Sequence, residues 1–150
     1  MVVYFYRKSY CIIVSFIFFL IAIVIPNKGF SVDLEVTVKA LRNDKGQLRM
    51  AIFNDPGEFP RGNEIRSLDV QAKSGDVTAL FKGIKPGTYA LAIHHDENLN
   101  NEMDTNFVGI PNEGYGFSND ARVFLAPPTF EAASFVIDGK LEKISLSIVY

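Results

Sequence analysis

Between His94 and Asn106 the chain reads HHDENLNNEMDTN, with side-chain oxygens at alternate positions. Asp96, Asn98, Asn100, Glu102 and Asp104 follow the order in which an EF-hand loop offers its ligands, the seventh position (Glu102) acting there through its backbone carbonyl. Ca²⁺ takes carboxylate, amide and carbonyl oxygens, and alternate spacing lets one tight turn aim them at a common centre. The match is partial. The sixth position, usually glycine, is Asn101, and the twelfth, usually a bidentate Glu, is Phe107. The segment entering the loop alternates like a strand, where an EF-hand has a helix. A second reading needs no metal: Asp and Asn populate turns by bonding their own backbone. The spacing leaves both open, with calcium the only cofactor it raises.

Other chemistry finds less support. His94 and His95 are adjacent, so on a strand they point to opposite faces and do not share one ion. Asp96, Glu97, Glu102 and Asp104 supply enough carboxylates for a glycosidase-type pair. No nucleophile elbow, Walker loop or dinucleotide fingerprint accompanies them, and no catalytic residue is assigned. Asn106, Tyr115 and Phe117 form a candidate aromatic–amide ligand surface.

The elements that position these residues read as strands. Leu34, Val36 and Val38 alternate, as do Leu48, Met50 and Ile52, and further strand signals fall at SLDVQAK, VTALFKGI, TYALAIHH, ARVFLA, AASFVID and LEKISLSIVY. Turn residues separate them at hairpin lengths, and helical periodicity is missing. The expected fold is all-β, a single antiparallel β-sandwich with about 7–8 strands. One connection is long: residues 95–120 show no strand signal, and a loop of that length is usually functional. Its Phe107, Val108, Ile110, Tyr115 and Phe117 are expected to pack against the sandwich, because leaving them solvated together is costly.

At the N-terminus, Arg7 and Lys8 precede an apolar run from Cys11 to Ile25, too short for an ordinary transmembrane helix. Gly29 and Ser31 offer small residues for cleavage after Ser31. Residues 1–31 therefore read as a signal peptide, or as an anchor if uncleaved, and residues 32–150 as one domain. Of 15 basic and 17 acidic residues, three basic and no acidic ones precede Val32, so the remainder carries 12 basic against 17 acidic groups, a net −5. Such a domain suits nucleic acid poorly. The single cysteine, Cys11, lies in the leader, which excludes thiol chemistry and thiolate metal sites from the domain.

Asp104–Ser118, DTNFVGIPNEGYGFS, with the preceding His-Asp pair and the following Pro-Pro-x-Phe, resembles an exported bacterial family designated domain-of-unknown-function family 2141. The similarity extends loosely back to Leu34. The family turn often has glycine where Leu99 and Asn101 stand here. The resemblance implies export and a β-sandwich of the immunoglobulin or prealbumin kind, and no activity. The expectation is a periplasmic or extracellular, non-enzymatic binding or presentation module that meets an unknown envelope ligand through its 95–120 loop, touching a membrane only through the N-terminal segment. The alternative is a small envelope hydrolase using loop carboxylates.

Overall fold

A computed structural model describes residues 30–139 and 141–150. All but the last two residues of the expected signal segment lie outside that range. The described chain forms β1 (Val32–Leu41), β2 (Gln47–Phe53), β3 (Arg66–Gln71), β4 (Gly75–Ile84), β5 (Gly87–Asp96), β6 (Gly114–Phe117), β7 (Phe135–Ile137) and β8 (Glu142–Ser147). A 3-10 turn at Ser118–Asp120 and one helical turn, α1 (Phe130–Ala133), follow β6. The strands make two sheets. The smaller has the order β4-β1-β8, and the larger runs β3-β2-β5-β6, with β7 also pairing β5.

Period-two alternation explains the core. Leu34, Val36 and Val38 of β1, Leu48, Met50 and Ile52 of β2, and Leu91 and Ile93 of β5 are buried in one cluster between the sheets. At the end of β1 the register slips between Val38 and Leu41, and Ala40 adopts φ 65°. That bulge turns Leu41 inward where strict alternation would have chosen Ala40.

The expected all-β sandwich of eight strands forms, and three details differ from expectation. First, the sandwich is mostly but not wholly antiparallel: β1 and β8 pair in parallel from Leu34–Glu142 to Lys39–Ser147. They lie at opposite ends of the domain sequence, so no hairpin constrains their direction. Second, Ala121–Ala126 is not a strand. Asn119 and Asp120 take φ 61° and 49° after β6, which turns the chain off the sheet before Arg122 and Val123 can pair. Third, the long connection is shorter than it reads. β5 continues to Asp96, and β6 pairs with it through Phe117–Ala92 to Gly114–His95.

Glycine hides β6 in the sequence but makes it possible. A Cβ on Gly114 would lie 2.5 Å from the Tyr150 ring, and one on Gly116 would lie 2.8 Å from the Leu146 side chain. The inner face of β6 has to be bare because the end of the chain crosses it, bridged through Tyr115 and Val149. Its outer face carries the side chains. Phe117 joins Phe53 and Phe130 in a second buried cluster, with Phe59 at its centre. Phe59 meets Phe53, Phe117 and Phe130 edge-to-face at centroid distances of 5.5, 5.8 and 6.0 Å, a favoured aromatic geometry. Phe107, Val108 and Ile110 do not join it; they are exposed, against expectation.

Candidate functional site

The outer face of the larger sheet is set by register. Arg49 lies opposite His94, and His94 opposite Tyr115; the next row is Ala51, Ala92 and Phe117. Two alanines side by side leave a depression between larger neighbours. The chain around Pro60–Glu64, Met103–Pro111 and Val123–Pro127 rises about it, enclosing a groove of about 590 Å³, a size common for small-molecule sites.

The polar groups in and beside the groove are mostly paired. Arg49 reaches Glu64 at 3.2 Å. The Glu64 carboxyl is held below its usual range, chiefly by a backbone N–H; burial opposes this, and Arg49 adds to it. His94 Nε2 lies 2.8 Å from Glu113 Oε2. Glu113 is only 4% exposed and also accepts the Glu97 N–H on Oε1 at 2.8 Å and the Asp104 N–H on Oε2 at 3.2 Å. One carboxylate thus ties the sheet to both ends of the Asn-rich turn. Neither Glu113 nor the Arg49–Glu64 pair is identifiable in the sequence as a site. Arg49 signals itself only as an outward position of β2, and Glu113 gives no sign beyond being the acid before Gly-Tyr-Gly-Phe.

Of the five oxygen-bearing positions, four come together. Asp96 is 1% exposed, and it accepts the Asn100 N–H on Oδ1 and the Asn101 N–H on Oδ2. Burial pushes its pKa up, but the N–H groups of Asn101, Leu99 and Asn100 outweigh that and hold it below the usual value. Asn98 and Asn100 turn their carbonyl oxygens to the N–H groups of Asn100 and Glu102. Their amide nitrogens donate to the two oxygens of Asp104, at 2.7 and 3.1 Å. The Glu102 side chain stays outside this cluster, exposed. Leu99 and Asn101 adopt φ 63° and 62°, the left-handed geometry that glycine takes most cheaply. Among the described residues no group of three His, Cys, Asp or Glu side chains is placed to hold a metal ion.

The histidines diverge as alternation requires. His95 is fully buried; its Nε2–H donates to the Lys45 carbonyl at 2.8 Å, and Nδ1 meets the Tyr150 hydroxyl at 2.6 Å. Arg42 stacks 4.2 Å above the Tyr150 ring and donates to Glu97 at 2.7 Å. Burial raises the Glu97 pKa, but Arg42 and Asn43 more than offset it, leaving a lowered value.

Two turns carry apolar side chains beside the groove. Residues 105–111 form a small hairpin closed by the Thr105–Pro111 bridge. Asn106 shapes it: its Oδ1 accepts the Val108 and Ile110 N–H groups, both at 3.0 Å. Its amide is thus engaged inside the turn, while Tyr115 and Phe117 line the groove itself. Phe107 at the tip is 99% exposed. In the second turn Leu125 is 97% exposed with φ 61°, beside an exposed Phe124.

The model of a protein family described as uncharacterized and conserved in bacteria, DUF2141, matches residues 36–145. No curated protein and no solved structure matches the chain.

Proposed function

Since the chain belongs to DUF2141, a family whose description names no activity, we propose from geometry that it is an exported, non-enzymatic binding module whose working surface is the groove on the outer face of the larger sheet. One observation carries this reading: the groove has a floor of alanines and aromatic rings, while the carboxylates of the neighbouring loop are occupied elsewhere. A hydrolase built on the loop would need two carboxylates converging on a cavity. Asp96 is spent on backbone N–H groups, Glu97 on Arg42 and Asn43, and Asp104 on two amides. The loop is a frame, and what it frames is the row Arg49, His94, Tyr115. Export is supported by the basic and then apolar N-terminal sequence; an intact mass beginning at Val32 for the exported protein checks it.

Calcium enters this reading as a test. The amides of Asn98 and Asn100 point nitrogen, not oxygen, at Asp104, so a cation would have to turn both. The turn is expected to hold without metal, with the same melting curve in millimolar calcium and in chelator. A rise of several degrees in calcium alone, abolished by Asp96→Ala, would assign the turn to the metal.

The experiment for the groove is amide NMR of the labelled protein against a library of small fragments. Shifts are expected to concentrate at Ala51, Ala92, Tyr115 and Phe117 and to vanish in Ala92→Phe, which fills the floor. Scattered or missing shifts would remove the reading. Turnover of ester or glycoside substrates that depends on His94 would replace it with the enzymatic one.

A further inference from the structure

The groove's three bordering loops differ in chemistry. The first brings charge: Arg61 lines the groove, and among the described residues its guanidinium has no ion-pair partner. The other two bring apolar surface, through Met103 and Pro111 and through Val123 and Leu125. Beyond the lining, both continue into exposed apolar tips at Phe107 and Phe124. These tips are built, not frayed. Asn106 locks the hairpin that presents Phe107, and Leu125 accepts a left-handed backbone, unfavourable for a non-glycine residue, to stand where it does. Exposed apolar side chains held beside a groove fit an interaction site.

Resting on the binding reading above, we propose that the groove takes a single anionic amphiphile, a long-chain carboxylate or its equivalent, with the head on Arg61 and the chain between the aromatic floor and the two apolar turns. Charge complementarity selects this occupant. The other charged groups of the lining are paired, Arg49 with Glu64 and His94 with Glu113. The one cation without an ion-pair partner among the described lining residues therefore fits an anionic head, and the apolar turns fit a hydrocarbon body joined to it. An anionic bilayer fits poorly, because residues 86–121, which carry the hairpin, hold six acidic residues and no Lys or Arg. They would oppose such a surface over a Debye length of about 8–10 Å.

The protein has no tryptophan, so Phe107→Trp and Leu125→Trp in the purified full chain each place one reporter at a tip. Each reads only its own surroundings, and the apolar N-terminal segment contributes nothing to the signal. Monomeric decanoate is expected to blue-shift both reporters saturably. Arg61→Gln in the reporter background should weaken that response at least tenfold, and decanol, which keeps the chain without the charge, should bind correspondingly less. Ala92→Phe should abolish it. Three results overturn the proposal: no response to decanoate, a response equal for decanol and untouched by Arg61→Gln, or a response only to phosphatidylglycerol vesicles, which would make the tips membrane anchors. Fragments of other chemistry seated at Ala51 and Ala92 would leave the binding reading standing while this one falls.

Discussion

The Glu113 carboxylate accepts from Glu97 N–H and Asp104 N–H and meets His94, so three separate parts of the site hang on one buried group. Hydrogen bonds to a charged group are worth about 1.5–3 kcal/mol each, and leaving donors buried without a partner adds to the loss. Glu113→Ala is expected to destabilise the domain by about 3 kcal/mol, with Glu113→Gln costing less because it keeps one acceptor. Amide hydrogen exchange should show Glu97 and Asp104 losing protection before the core strands do. Asp96 and Glu97 set the acid limit. Both have folded pKa values below their ordinary 3.8 and 4.5, so the unfolded chain binds their protons first as pH falls. Their stabilisation is complete above about pH 5 and declines as pH falls through those ordinary values toward the lowered folded ones. The melting temperature should accordingly drop as pH falls below about 4.5, and Asp96→Asn should flatten that drop.

Among the elements, β6 is the one the sequence conceals. Gly-Tyr-Gly-Phe has the composition of a loop, and only the approach of Tyr150 and Leu146 to its inner face explains why glycine alternates with aromatic there. Gly116→Ala is expected to cost about 1–3 kcal/mol, because the added methyl meets Leu146 at 2.8 Å and the Ser147 carbonyl at 3.0 Å in a packed interior; thermal unfolding measures it. The core strands were legible because burial on one face enforces period two at Leu34–Val38 and Leu48–Ile52. Residues 121–126 read as a strand for the same reason and form none, because apolar residues in a row make a strand only where a neighbour is free to pair. The divergence of His94 and His95 could be read from alternation alone. The groove could not, since it depends on which strand lies beside which, and Ala51 and Ala92 look unremarkable until register sets them together.

At the scale of the whole molecule, the pairing of β1 with β8 joins the first described strand to the last, in parallel, with β1 at the centre of the smaller sheet and β8 at its edge. Val32 and Ser147 therefore emerge from opposite ends of that pair. Tension applied between the two termini would run along the strands, loading the six register positions from Leu34–Glu142 to Lys39–Ser147 together in shear. An antiparallel pair pulled from neighbouring ends would instead peel open one bond at a time. A chain held at its N-terminal side and drawn from its C-terminus would resist as a mechanical clamp, and the groove, in the other sheet, would keep its shape until that clamp slips.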